Sequence, residues 1–509
     1  MTGANPGAAP DDLRPWTEHE LSQARCIVRR LQQRIVKAVQ QRKWRKVRAL
    51  QHLLTHARSA KILAVLRVTE NDGKNTPGVD GVTWKTPAAK RDAVAALQQR
   101  GYRPQPLRRC YIPKKNGKLR PLGIPTMQDR AMQALYLQAL DPVAETVGDP
   151  HSYGFRPARS CADALEQCHI VLANSRASEW VLEGDIQACF DRISHEWLLA
   201  YVPLERAILR KWLEAGYLER TVWHPTEAGT PQGGIISPVL ANLALDGLQA
   251  RLARAFPRTR AGCARVNLIR YADDFVITGR SREQLETQVR PLVEKFLAER
   301  GLNLSPEKTI ITHVKEGFDF LGQTIRRFGK KVLCRPSHRS VRLFYDGVRQ
   351  VIRKHRHVDP ATLIQLLNPK IEGWARYHRH ASSKKVFQRI DNLLFGLVWR
   401  WARRRHPRKN RRWVAARYFT TVGGDHWVFH GWEPRARGEP RHCFLASARS
   451  VRIIRHVKVR CELNAYAPEW SGYLARRRSL PGAHSYPVLA ESAIQETARI
   501  MREPARPAP

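Results

Sequence analysis

From residue 21 onward apolar side chains recur at helical spacing: Leu21, Ala24, Val28, Leu31, Ile35 and Val39 share one face, while Arg and Lys fill the others. The spacing predicts a basic amphipathic helix, with a second over residues 44–66. The segment NDGKNTPGVDG (71–81) then breaks the pattern with turn formers and a Thr-Pro-Gly that cannot continue a helix, so an ordered loop is expected. Over residues 107–124 the run CYIPK, the turn KNGK and the run LRPLGIP predict a β-hairpin with Asn116 and Gly117 at its tip. WVLEGDIQACF (180–190) and LIRYADDFVIT (268–278) are apolar or β-branched runs interrupted by carboxylates, and read as buried strands with acids near their ends. Helical spacing returns at Leu285, Val289, Leu292, Val293 and Phe296, opened by the capping box Ser281-x-x-Gln284 and closed by Gly301. Beyond about Arg335 the stripes are purely helical: Val341, Phe344, Tyr345, Val348, Ile352, then Val386, Ile390, Leu393, Leu394, Leu397, Val398, Trp401. A separate helical domain is expected from about residue 337.

Charge changes this picture more than any element does. Across 509 residues, 88 Lys and Arg face 45 Asp and Glu, a formal net charge of +43. Self-repulsion of that size calls for a polyanionic partner. A membrane surface suits the sign, but no stretch of eighteen apolar residues occurs and the basic residues are spread along the chain. A hydrophobic content of 43% excludes wholesale disorder. The nine cysteines form no Cys-x-x-Cys pair and read as reduced thiols with no assigned chemistry. The first fifteen residues carry Asp11 and Asp12 and no apolar core, so neither an export nor an import signal is expected.

Tyr271-Ala272-Asp273-Asp274 lies between two strand-like halves, which holds two acids together at a hairpin tip. A solvated turn or an ion-pair site would look the same. Asp185 ends another apolar strand, and neighbouring strands would bring it within reach of Asp273 to chelate hard divalent cations; a strand-end acid paired with Arg is the alternative. Two such ions can activate an attacking hydroxyl and stabilise the leaving oxygen in phosphoryl transfer.

These acids sit in an ordered series of blocks: IPKKNGKLRPLGIPTMQDR (112–130), HSYGFRPARSCADAL (151–165), EGDIQACFDRISH (183–195), AGTPQGGIISPVLANLALD (228–246), RYADDFVIT (270–278), RGLNLSPEKTII (300–311) and GFDFLGQTIRR (317–327). The series closely resembles the reverse-transcriptase core of group II intron-encoded proteins. NTPGVDG (75–81) extends the resemblance upstream, and NPKIEGWARYHRH (368–380) is similar to the maturase domain X.

The resemblance implies an α+β fold: a right-hand polymerase of fingers and palm, followed by an α-helical thumb/maturase domain X and a basic C-terminal region. The expected layout is a disordered 1–15, an N-terminal helical extension and fingers loop over 16–105, and a fingers/palm core over 106–336. Thumb and domain X follow over 337–405, a basic DNA-binding region over 406–480, and a largely disordered tail over 481–509. Asp185, Asp273 and Asp274 would be the catalytic triad, holding two Mg2+ ions with the Ile186 carbonyl as a backbone ligand. Phe190 matches the residue facing the incoming sugar, where a ring would exclude a 2′-hydroxyl; by itself it reads as a core aromatic. Lys114 and Arg120 match fingers residues on the triphosphate, Gln232 the position beside primer-template and nucleotide, and Lys308 a lysine able to protonate or stabilise the departing pyrophosphate.

Trp374, Tyr377 and His378 interleave with Arg376 and Arg379, a pattern that stacks on unpaired bases while cations track phosphates, or that simply packs a helix with a basic outer face. The resemblance favours RNA. Over residues 401–420 the chain has Arg403, Arg404, Arg405, Arg411 and Arg412 among its cations and no acid, a second phosphate-binding candidate. The implied partners are group II intron RNA, an RNA template with a DNA primer, target DNA and deoxynucleoside triphosphates, met in a bacterial cytoplasm and at the nucleoid, with no membrane. Many relatives carry a His-Asn-His endonuclease with paired cysteines; Cys443 and Cys461 are a poor substitute, so priming from nascent strands or a partner nuclease is expected. Ala188 stands where relatives often have glycine, with little effect expected from one methyl. The leading expectation is an RNA-directed DNA polymerase that also acts as a maturase in splicing and intron mobility. The alternatives are a polymerase-inactive RNA-binding splicing factor and a reverse transcriptase recruited to defence.

Overall fold

The computed structural model describes residues 14–113, 119–173, 178–231, 233–257, 266–434 and 439–480. Lys114, Gln232, the hairpin tip at Asn116 and Gly117, and the terminal stretches 1–13 and 481–509 lie outside them. The chain gathers into two compact units, the first drawn from residues 1–164, 180–311 and 459 onward, the second from 165–179 and 312–458.

In the first unit, Thr17 and Glu20 form a capping box that opens the helix Glu18–Gln40, and its apolar stripe is buried as the spacing requires. The second helix divides at Ala57, whose backbone is extended, into Trp44–His56 and Arg58–Thr69. The break re-aims the second half, which is buried on nearly every side, at Ala60, Ile62, Ala64, Val65 and Val68. These helices pack on Met127–Val147, itself almost wholly buried and capped by Thr126. Arg130 on that helix is buried and donates to the carbonyls of Pro125 and Gly73 at 2.9 and 3.1 Å and to that of Thr76, which fixes the loop 71–81 as an ordered one. The strands Leu107–Pro113 and Leu119–Ile124 pair antiparallel with Ile112 opposite Arg120, as the hairpin reading expects.

The sheet that carries the acids has the order Asn267–Tyr271, Asp274–Gly279, Trp180–Asp185, Ile310–His313. Gly184 packs against the ring of Phe275, where a Cβ would lie 2.2 Å from the ring. The loop after Gly148 is held from below by Glu145, which pairs in a buried site with Arg156 at 2.8 Å and with Arg159. The segment 459–480 closes this unit. Asp163 accepts from the Val459 N–H at 2.7 Å and from Arg477 at 2.9 Å, Arg159 donates to the Leu463 carbonyl at 2.8 Å, and Arg29 donates to that of Ala465 at 2.7 Å.

In the second unit the helices His338–Lys354, Pro360–His378 and Lys384–Arg405 bury the stripes read from the sequence, among them Val348, Ile352, Leu394, Leu397, Val398 and Trp401. The surprise is a three-stranded antiparallel sheet, Phe419–Val422, Asp425–Glu433 and Arg441–Phe444, beyond the short helix Arg411–Tyr418. Gly431 lies against the start of Pro360–His378, where a Cβ would come within 2.6 Å of the Ala361 nitrogen. Among the described residues no helix is long and apolar enough to cross a membrane.

Candidate active site

Tyr271 pairs with Asp274 across a two-residue hairpin loop, Ala272-Asp273, and Ala272 has φ +56°. Two-residue hairpins need such backbone, and Gly154 packs directly beneath, where a Cβ would lie 2.4 Å from the Ala272 nitrogen. Arg270 holds the loop from inside. Wholly buried, it donates to the Ala272 carbonyl at 3.3 Å and to Asn242 at 3.0 Å, and pairs with Asp246. Asn242 in turn donates to the Gly154 carbonyl at 2.8 Å.

Antiparallel register sets Asp185 directly opposite Asp274. The block LNLSPEKT runs back past the end of the Asp185 strand: Ser305 N–H donates to the Asp185 carbonyl at 2.8 Å and Gln187 N–H to the Asn303 carbonyl at 3.0 Å. This bridge pairs Ile186 with Leu304 but takes the carbonyl of Asp185 and not that of Ile186. It also brings Lys308 to Asp185, Nζ to Oδ2 at 2.7 Å. Partial removal of water raises the Asp273 carboxyl and the like charge of Asp185 adds to it, while Arg120 and Lys308 pull the other way. Asp274 is pushed up to about 7, by loss of water first and then by Asp273 and Asp185. Its outer edge still reaches solvent. Three carboxylates, with two cations acting on them, therefore meet at one end of the sheet.

Among the described residues no His, Cys, Asp or Glu cluster is drawn together tightly enough to hold a metal ion outright. The donor set nevertheless suits a hard cation. It is all oxygen, and the mutual repulsion that raises Asp274 is what a divalent ion would relieve.

Phe190 follows a turn in which Ala188 adopts the left-handed conformation, φ 47° and ψ 46°. Its ring is half-buried and meets Phe155 edge to face at 6.3 Å. Its carbonyl accepts from Thr230 N–H at 2.6 Å, and Gly229 sits where a Cβ would be 2.5 Å from that oxygen, so the start of the Pro-Gln-Gly block lies against Phe190. On the far side of Gln232, Gly233 (φ +115°) lies against the Gly123 carbonyl, and Gln133 accepts from Ile235 N–H at 2.9 Å. The nearby Cys189 thiol is buried and pushed up to about 12, which leaves it inert.

In the second unit the rings near residue 374 face inward. Trp374 stacks on Phe344 at 4.7 Å and contacts Phe387 and His378; Tyr377 donates to the Leu321 carbonyl at 2.8 Å; His378 is buried, and burial pushes it down to about 3. Arg376 stays exposed beside Glu372, and Arg379 is half-buried. Arg403, Arg404, Arg411 and Arg412 are exposed, whereas Arg405 donates to the Val358 carbonyl and lies 4.7 Å over Trp401.

Comparison with known proteins assigns both units. Residues 112–325 match the reverse transcriptase (RNA-dependent DNA polymerase) family, residues 16–97 the N-terminal domain of reverse transcriptase, and residues 341–419 the group II intron maturase-specific domain. The intron-encoded protein LtrA of Lactococcus lactis is 32% identical over 392 residues, 62% of this chain and 63% of LtrA. Protein YkfC of Escherichia coli is 35% identical over 304 residues, 51% of this chain and 79% of that one. The chain belongs to the group II intron reverse transcriptase/maturase family. A solved telomerase from Candida albicans superposes on 62% of it, and it on 65% of that chain, at 12% identity and a TM-score of 0.34, too loose to bear on function.

For a reverse transcriptase/maturase, the supporting residues were harder to read than the acids. Arg270, Asn242, Asp246 and Gly154 position the acidic turn, yet each looks ordinary in its own segment. The available signal was Asn242 within an otherwise apolar helix and Asp246 just past its end. Gln133 and Arg130, polar residues on a helix buried all round, were marked in the same way.

Proposed function

We propose that this chain is an RNA-directed DNA polymerase that also binds group II intron RNA as a maturase, working without a membrane in a bacterial cytoplasm and at the nucleoid. One observation carries the polymerase reading: Asp185, Asp273 and Asp274 meet at the end of one sheet, with Lys308 on Asp185 and Arg120 acting on Asp273. Asp185, Asp273 and Asp274, with the Ile186 carbonyl, would hold two Mg2+ ions. When bound, such ions activate a primer 3′ hydroxyl and neutralise the triphosphate for in-line displacement. Lys308 is released from Asp185 when that charge is otherwise compensated, and its exposed ammonium is then free for the departing pyrophosphate. Arg120, and by resemblance Lys114 and Gln232, hold the nucleotide. Phe190, immobilised against Phe155, presents a fixed wall to the sugar. Asn242, Asp246 and Arg270 keep the turn rigid, so the acids need no rearrangement at the moment of reaction.

The maturase reading rests on the +43 charge and the maturase-specific match, with Arg376, Arg379, Arg403, Arg404, Arg411 and Arg412 as phosphate contacts. Trp374 and Tyr377 contribute there by bracing the helix that carries Arg376 and Arg379.

Primer extension on an RNA template with Mg2+ and deoxynucleotides tests the polymerase. Asp273→Ala should abolish synthesis and leave RNA affinity and assisted splicing intact. No extension by the folded native chain, with its intron RNA supplied, would favour a splicing factor without polymerase activity.

A further inference from the structure

In the second unit the helix Lys384–Arg405, the helix Arg411–Tyr418 and the sheet that follows flank an open cavity of about 890 Å3, room for a nucleoside. Phe395, Trp399, Phe419 and Trp427 line it and touch one another. Phe395 and Trp399, one helical turn apart, lie nearly parallel at 6.1 Å, and Trp427 stands close to perpendicular to both, at 6.3 and 6.0 Å. Trp427 is held in the left-handed region, φ +62°, within the register irregularity of its hairpin, and remains 53% exposed. A large ring kept in a costly backbone conformation, immobilised by three others and still open to solvent, is unlike a core residue.

The rim is selectively charged. Asp391 is fully used by Ser447 Oγ, Ala448 N–H and Arg449 N–H at 2.7, 2.7 and 3.0 Å, and Asp425 pairs with Arg449. Arg411 and Arg412 line the same cavity, are exposed, and pair with no carboxylate among the described residues. An occupant thus meets aromatic rings inside and two uncompensated guanidinium groups at the mouth.

We infer that this cavity takes an unpaired base of single-stranded RNA, stacked on Trp427, with its flanking phosphates on Arg411 and Arg412. An aliphatic ligand would gain nothing from the two cations, and a free phosphate nothing from the rings; a base joined to phosphate uses both. RNA is the source because Phe395, Trp399, Arg411, Arg412 and Phe419 fall within the maturase-specific match, with Trp427 on the strand that follows it. The inference rests on the maturase reading and names a subsite within it.

The test uses the full chain and a short unstructured RNA carrying one fluorescent adenine analogue, whose emission drops on stacking. Trp427→Ala, at an exposed position, should weaken binding about tenfold and abolish the emission drop, with the salt dependence unchanged. Arg411→Gln with Arg412→Gln should flatten the salt dependence and leave the emission drop in place. Binding within twofold of native and an unaltered emission drop in Trp427→Ala would overturn the base site while leaving the maturase reading standing. A native chain that binds no RNA would overturn both. A deoxy-oligomer showing the same dependence on Trp427 at equal or higher affinity would overturn the assignment to RNA.

Discussion

Replacing Asp274 by Asn tests whether burial and the two neighbouring acids make its charge costly in the folded chain. The displacement of its carboxyl from 3.8 to about 7 is, at about 1.4 kcal/mol per factor of ten, a ceiling of about 4 kcal/mol of destabilisation in the ionised protein. Asp274 is exposed, and solvent screening reduces the expected figure to about 1–2 kcal/mol. The sign follows from proton binding. Between pH 3.8 and about 7 the folded chain holds a proton that the unfolded chain has lost, so the native protein loses stability as pH rises through this window. Above about pH 7 the penalty is complete, and below the ordinary carboxylate range it is absent. In chelator, Asp274→Asn should therefore unfold at higher denaturant than the native chain at pH 8 and match it at pH 3.5. Mg2+ should stabilise the native chain more than the variant, narrowing or reversing the difference at pH 8. An Asn variant no more stable than native at pH 8 in chelator would refute the claim that burial and the neighbouring acids together disfavour the Asp274 charge in the folded state.

Three further perturbations follow from particular contacts. Ala188→Gly should gain about 0.5 kcal/mol in chemical denaturation, because relief of a left-handed alanine, worth about 1–2 kcal/mol, outweighs the about 0.5–1 kcal/mol of added chain entropy. Phe190→Ala should raise ribonucleotide incorporation on the order of tenfold in single-nucleotide extension; unchanged selectivity would remove the ring from the sugar wall. Arg403→Gln with Arg404→Gln should lower the slope of log affinity against log salt by about 1–2 without moving the melting temperature. Arg405→Gln, by contrast, should lower the melting temperature, since its guanidinium is bound to the Val358 carbonyl and Trp401.

The helices were legible because burial repeats at the helical period, and the acidic hairpin because two apolar runs are interrupted by the adjacent acids Asp273 and Asp274. Ala57 was not legible: alanine is itself a strong helix former, so its identity does not signal the extended residue. The sheet over 419–444 was hidden because one face of it, with His430, Trp432, His442 and Phe444, is polar or aromatic instead of aliphatic, and alternation was masked by its charges. Trp374 and Tyr377 show a different limit. Sequence places rings between cations, but only packing decides whether the rings face solvent or the neighbouring Phe344 and Phe387. Ala188 shows a third, since a methyl group counts for little in composition and for more once its backbone is known to be left-handed.

The closing segment 459–480 has a consequence for biosynthesis. About 300 residues separate Asp163 and Arg159 from the partners that complete them. At bacterial elongation rates of about 5–20 residues per second, those partners leave the ribosome on the order of 15 s or more after the groups they satisfy. Until then Arg159 lacks one of its acceptors and Asp163 lacks both Val459 and Arg477. The unit bearing Asp185, Asp273 and Asp274 is therefore finished only after the whole second unit has been synthesised. A translation product stopped before residue 459 would carry all three acids without the Val459, Leu463 and Arg477 contacts that close this unit.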